Sequence, residues 1–301
     1  MRYVTQLLLP VVLLLSALAR TDAFALLSHR TSNRYAGRRL SSIMATQQPW
    51  GVGLSQADLM IKDECIIVSP DDEILGHTTK QEAHRFDNPQ RPNGVLHRAF
   101  SIFLFNREGK LLLQQRAADK ITFPSVWTNT CCSHPLHGYV PSEVDDADEV
   151  ASGRVRGIRA AAMRKLQHEL GIDCAASGIR EDSFKYLGRI HYCSADAVRT
   201  SPQSQSQVQA QVQPEWGEHE IDYMLFLRCP EDPLLRPNPE EVRDTRYVTL
   251  PELQRMMADP ALQWSPWFRY IVRDLLQPWW ADLDATMTTD RFVDLNNIHR
   301  F

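Results

Sequence analysis

The run HEIDYMLFLR (219–228) constrains the fold more than any other stretch of the chain. Its second half is apolar at odd and even positions alike, and in a strand those positions face opposite sides of the sheet. Such a strand belongs in the middle of a sheet, not at its edge. HRAFSIFLF (97–105) and KLLLQQRA (110–117) flank NREG, the pattern of a β-hairpin in which Gly109 supplies a positive φ. CIIVSP (65–70) reads as a short buried strand closed by a turn at Asp71 and Asp72, and FKYLGRIHYC (184–193) as another strand. IRAAAMRKLQHELGI (158–172) is the clearest helix, with Ile158, Ala162, Leu166 and Leu170 spaced by four and Gly171 as its C-cap. PELQRMMADP and SPWFRYIVRDLL give two short amphipathic helices with Pro at their starts. Residues 80–94 and 138–157 are polar or acidic and irregular, and read as loops, and VWTNTCCSHP leaves a strand for a loop. Strands and helices mix without βαβ regularity, so the fold class is α+β.

The two ends differ in kind from the middle. Arg2 precedes an apolar run, LLLPVVLLLSALA (7–19), too short and too broken for a confident membrane span. It reads as a signal-like segment over 1–23, with a cleavage site before Phe24. No Asp or Glu occurs in 24–57, while Arg30, Arg34, Arg38 and Arg39 stand among serines, so 24–55 reads as a transit-like segment. The folded domain is expected over 56–285 and a C-terminal tail over 286–301. The Gln/Ser run within 200–214 is expected to be a disordered loop excursion. A signal joined to a transit peptide resembles the two-part presequences of algae whose plastids lie inside additional membranes. That resemblance implies a plastid destination; a plain secreted or endoplasmic-reticulum protein is the alternative.

A net charge of -4 argues against a nucleic-acid surface, so any anion site must be a local basic cluster. Six cysteines without a CxxC pair make neither a zinc knuckle nor a disulfide framework. Cys131 and Cys132 are neighbours, and in an extended segment only one can face a cleft.

Two motifs carry chemistry. TNTCCSHP (128–135) places Cys132, Ser133 and His134 in succession. Its thiol could ligate a metal, or act as a base or nucleophile beside one. WGEHEID (216–222) places Glu218 and Glu220 two apart, hence on one face of a strand. Two such carboxylates call for a cation, or for one of them held protonated as a general acid. His84, His97 and His134 precede or sit beside apolar β segments; joined to the two glutamates they would form an N/O site for Mg²⁺, Mn²⁺ or Zn²⁺. Lys80, Arg116 and Lys120 suggest an anionic substrate, most naturally a phosphate or diphosphate.

The helix ending in HELGI partly matches the Nudix pattern through Arg164, Glu169, Gly171 and Ile172, but Lys165 and His168 stand where that pattern needs glutamates. Removing those metal-binding carboxylates should cripple pyrophosphate hydrolysis while keeping the fold. From about residue 65 to about 276, through TNTCCSHP, RAAAMRKLQHELGI, WGEHEIDY and SPWF, the chain resembles type I isopentenyl-diphosphate Δ-isomerase. The resemblance implies a Nudix-like mixed sheet sandwiched by helices. It implies interconversion of isopentenyl and dimethylallyl diphosphate by 1,3-allylic proton transfer, supplying isoprenoid biosynthesis. Glu220 would deliver a proton and Cys132, as thiolate, would remove one. His84, His97, His134, Glu218 and Glu220 would hold a divalent metal, Mg²⁺ foremost, with Mn²⁺ or Zn²⁺ as alternatives. Glu169 would contact a second Mg²⁺ bound to the diphosphate. Lys80, Arg116, Lys120 and Ser133 would bind the diphosphate, Trp267 would face the reacting carbons, and Tyr192 would bond near the acid. No nucleic acid, no stable membrane association and a monomeric state are expected. A Nudix hydrolase of a small organic diphosphate is the alternative activity, and a non-catalytic Nudix-fold binding module a third reading.

Overall fold

The computed structural model describes residues 50–51, 53–196 and 214–301, so the expected presequence up to residue 49 and nearly all of the Gln/Ser run lie outside the described residues. In chain order the elements begin with α1 (Gln56–Lys62), β1 (Glu64–Val68), β2 (Ile74–Thr79), α2 (Lys80–His84), β3 (His97–Phe105) and β4 (Leu111–Arg116). Next come β5 (Trp127–Thr128), β6 (Cys131–Ser133), α3 (Ala147–Ala151), α4 (Arg156–Leu170), β7 (Phe184–Ala195), β8 (Gly217–Arg228) and β9 (Val242–Val248). The chain then runs through α5 (Leu250–Ala258), α6 (Pro266–Ile271), a π turn (Val272–Leu276), α7 (Gln277–Ala281), α8 (Leu283–Thr288) and β10 (Ile298–Arg300).

The mixed sheet has the order β10-β7-β8-β3-β1-β2, with β6 and β4 also joined to β3, and β5 and β9 joined to β4. β8 is interior, as its two-faced apolarity requires: it pairs in parallel with β3 and antiparallel with β7. On one face Ile221, Tyr223, Leu225 and Leu227 pack with Ile158, Ala162, Leu166 and Leu170 of α4. On the other, Met224 and Phe226 pack with Phe103, Phe268 and Trp279 from the C-terminal helices and β3. A central strand buried on both faces, with helices over each, is what the alternation demands.

Several expectations need correction. The stretch 80–94 opens with α2, because the Thr79 side chain caps it by accepting from Glu82 N at 3.3 Å. The stretch 138–157 contains α3 and buries Glu143 and Asp145. Asp145 accepts from Gly157 N at 2.7 Å and Ile158 N at 2.9 Å, so it caps α4, whose own N-cap Val155 offers no side-chain bond. The hairpin turn at Gly109 has φ 74, but β3 and β4 share only the Phe105–Leu111 pair before β4 departs to β9. Strands β2 and β9, polar and half-exposed, escaped the apolar-run criterion. The segment 286–301 is not a tail: it completes α8 and adds β10 in parallel to β7.

Candidate active site

Sheet register assembles the site. Glu220 on β8 lies opposite His97 of β3 on one side and opposite Tyr192 of β7 on the other. Cross-strand partners project to the same face, so carboxylate, imidazole and phenol meet. Ser101 of β3 lies opposite Cys132 of β6, which brings the thiol to that face four residues beyond His97. Cys131 points the other way, into the core beneath α4. Gly217 starts β8 tightly: a Cβ there would meet the Phe86 ring at 2.4 Å.

His84, His97, His134, Glu218 and Glu220 are all buried, and their ligand atoms lie within 4.8 Å of one another. His84 Nδ1 lies 2.7 Å from Lys80 O and His97 Nδ1 lies 2.7 Å from Val95 O. A carbonyl only accepts, so each Nδ1 carries the proton and each Nε2 presents a lone pair inward. His84 Nε2 approaches Glu218 Oε2 at 2.7 Å, yet neither atom makes a hydrogen bond there. Two buried acceptors aimed at one point without a shared proton fit a divalent cation, and these residues could hold one. His134 Nε2 lies 2.8 Å from Glu220 Oε1, and the Tyr192 hydroxyl donates to Glu220 Oε2 at 2.5 Å. Burial opposes ionisation of Glu220, but the His97 imidazole beside it and the bond donated by Tyr192 keep its carboxyl below the usual range. Burial and the neighbouring imidazoles hold His134 well below the usual imidazole range.

The Cys132 thiol is fixed from several sides. Asn129 donates its amide to Ile102 O (3.1 Å) and Cys131 O (3.2 Å), which turns its Oδ1 toward the sulfur. Cys132 Sγ donates to that Oδ1 at 2.9 Å and accepts from Trp267 Nε1 at 3.0 Å. Burial, then the Asp222 carboxyl, pushes the thiol up to about 12. Burial and the bond from Cys132 Sγ to Asn129 Oδ1 thus disfavour the thiolate in this arrangement. Ser101 Oγ lies 3.4 Å from the sulfur and donates to Asp222 Oδ2 at 2.7 Å.

Lys80, Arg116, Lys120, Ser133, Cys132, His134, Glu169, Tyr192, Glu218, Glu220 and Trp267 line one cleft, so these predicted residues meet, with His84 and His97 beneath the carboxylates. The cleft is nearly shut, with an interior of about 20 Å³, one water's worth. A larger cavity of about 980 Å³ opens beside Trp50, Tyr139 and Arg236, but the thiol and the paired glutamates are not among its walls. Arg116 spends two nitrogens on Phe123 O and Thr122 O, which orients it, with its guanidinium 5.8 Å from the Trp267 ring. Lys120 Nζ bonds Glu241 at 2.6 Å; burial, with Arg116, Lys80 and Lys165 nearby, lowers its ammonium to about 8. Glu169 stands outside the five-residue group, bonded to Gln114 at 3.1 Å and paired with Lys165 at 3.1 Å.

Sequence reasoning missed Asn129, Ser101, Asp222 and Glu241. Asp222 continues the period-two row of Glu218 and Glu220, and Ser101 breaks an apolar strand, so both carried a signal; Glu241 carried none.

The NUDIX domain family matches residues 95–268 of the chain. The isopentenyl-diphosphate delta-isomerase of Phaffia rhodozyma is 44% identical, over 79% of this chain and 84% of that protein. That of Candida albicans is 45% identical over 80% of each. The chloroplastic isopentenyl-diphosphate Delta-isomerase II of Arabidopsis thaliana is 37% identical, over 94% of this chain and 96% of that protein. With a thiol and a carboxylate pair brought to one basic cleft, and with likeness of this extent, the chain belongs to the isopentenyl-diphosphate Δ-isomerase family of NUDIX-domain proteins.

Proposed function

We propose that the protein is an isomerase interconverting isopentenyl and dimethylallyl diphosphate, with Cys132 and Glu220 as the two proton-transfer groups. One observation carries the reading: the Cys132 thiol and the ionised Glu220 line the same cleft as Lys80, Arg116 and Lys120. Moving a double bond by one carbon requires a proton added at one carbon and another removed two atoms away. The disfavoured thiolate and the carboxyl held below its usual range support one direction, with Cys132 as donor and Glu220 as acceptor. Cys132 Sγ gives its proton to the terminal alkene carbon, the electron pair of the double bond forms the new C–H bond, and a tertiary carbocation results. Glu220 Oε2 then takes the allylic proton, whose C–H electrons become the new double bond. The reverse reaction runs through the same groups with roles exchanged. The Trp267 indole at the cleft wall stabilises the cation by about 1–2 kcal/mol when water is excluded.

Lys80, Arg116, Lys120 and Ser133 hold the diphosphate, converting remote affinity into rate at the unreactive hydrocarbon. His84, His97, His134, Glu218 and Glu220 would hold a divalent ion, Mg²⁺, Mn²⁺ or Zn²⁺, which would supply fixed positive charge beside Glu220. Glu169 would contact a second Mg²⁺ bound to the diphosphate. The protein acts as a monomer, in a plastid, after loss of a presequence within residues 1–46; the start expected near residue 56 moves to Gln47, where the compact unit begins. Pyrophosphate hydrolysis is the weaker reading, because Lys165 neutralises Glu169 where a hydrolase concentrates carboxylates.

The test is an assay of purified protein with isopentenyl diphosphate, with and without a chelator. Dimethylallyl diphosphate should form without phosphate release, and turnover should vanish on chelation and return with Mg²⁺. Phosphate release instead of isomerisation would sink the proposal.

A further inference from the structure

Outside the cleft, a second set of ligand-type side chains converges on the face formed by β1, β2 and the segment after His134. Glu64 starts β1 opposite Thr79, and His77 lies two residues before Thr79 on β2, so Glu64 and His77 are diagonal neighbours on one face. His137 reaches the same point from the other flank, because its backbone N–H donates to Glu64 O at 2.9 Å and Leu136 bridges Cys65. Three side chains from separate parts of the sequence are thus fixed by backbone bonds, not by loop chance.

Their geometry is specific. His77 Nδ1 lies 2.9 Å from Glu64 Oε2, and His137 Nδ1 lies 3.3 Å from the same oxygen. The rings stack at 3.8 Å with 4° between their planes. All three ligand atoms lie within 4.8 Å of one another. A tetrahedral ion with bonds of about 2.0–2.1 Å places its ligand atoms about 3.3 Å apart, against 2.9 and 3.3 Å here from each Nδ1 to the shared oxygen. Without an ion, one carboxylate oxygen must receive both Nδ1 protons while the other oxygen faces solvent.

We infer that Glu64, His77 and His137 form a second metal site, for a borderline first-row divalent ion of the zinc class. Two imidazoles and one carboxylate select such an ion over Mg²⁺, which prefers an all-oxygen shell. The three groups are half-exposed, so water can complete the coordination, and the stacked rings must turn apart for both lone pairs to reach one ion. Bound there, the ion cross-links β1 and β2 to the segment that carries His134 into the cleft. It acts as an external clamp on one wall of the active site.

Calorimetric titration with zinc tests the site, using protein whose His84, His97, His134, Glu218 and Glu220 centre is first saturated with zinc. The parent chain should take up a second equivalent, and its thermal midpoint should rise as it does so. His77→Ala and His137→Ala should each abolish the second equivalent and the thermal gain. Neither residue touches the cleft, so both variants should keep the parent's turnover, which also reports that they are folded. Mg²⁺ should produce no second equivalent. A parent chain that stops at one zinc, a second zinc that survives both substitutions, or Mg²⁺ filling the second position equally well would each overturn the inference.

Discussion

Cys132→Ser keeps a hydroxyl where the thiol stood, yet a serine is a far poorer acid, so turnover should fall by about 10²–10⁴-fold with the fold intact. Glu220→Gln should do the same from the other side of the substrate, read as kcat with circular dichroism as the control. Trp267→Phe removes the N–H that donates to Cys132 Sγ at 3.0 Å and keeps an aromatic wall. Losing one such bond costs on the order of 1 kcal/mol, so kcat should drop about fivefold to tenfold with KM little changed. The lowered ammonium of Lys120 gives a pH signature. Below about 8 the group is charged and can grip a diphosphate. As pH rises through that value the proton leaves, and KM should climb toward about tenfold per unit. A KM that stays flat from neutral pH to well above 8 would remove Lys120 from the binding set. The residues proposed to react were legible because chemistry forces their types into short motifs, TNTCCSHP and WGEHEID. The residues that set their protonation were not. Asn129 fixes the thiol proton through two bonds to backbone carbonyls far along β3 and in β6, and that is a fact of packing, not of composition.

At the scale of elements, α4 was readable end to end because both of its ends are written locally. Gly171 closes it in the left-handed region at φ 62, and a Cβ there would sit 2.3 Å from Arg236 O. Gly171→Ala should therefore cost about 1–2 kcal/mol from the backbone conformation alone, and more from the clash, read as a lowered urea midpoint with an unchanged slope. The opposite end borrows its cap from Asp145, and Asp145→Ala should cost about 1–2 kcal/mol in the same measurement. Asp145 is also tied inward, since Arg98 Nη1 donates to its carbonyl at 2.6 Å while Arg98 Nε bonds Asp72 at 2.8 Å. Strands fared less evenly. Those buried on both faces announce themselves by apolar runs, whereas β2 and β9 are held by ladder bonds to partners that local patterning does not reveal.

For the whole molecule, residues 47–301 form a compact unit of their own, so removing residues 1–46 should leave turnover unchanged. A reporter fused to residues 1–45 should enter a plastid; export or retention in the endoplasmic reticulum would refute that destination. Among the described residues, no helix is long and apolar enough to cross a membrane. Deleting 290–301 should lower stability, because β10 pairs with β7 and Arg300 reaches Asp71 and Pro70 O. The parallel register of β3 with β8 has one further consequence, and it concerns time. His97 and Glu220 meet as direct neighbours although the chain wanders through β4, β5, β6, α4 and β7 between them. Contacts of such sequence separation form late, after the loop entropy of everything between has been spent. A partly folded chain therefore holds His84, His97 and His134 without Glu218 and Glu220 beside them. The proposed metal site and the proposed proton-transfer pair are therefore both incomplete until β8 pairs with β3 and β7.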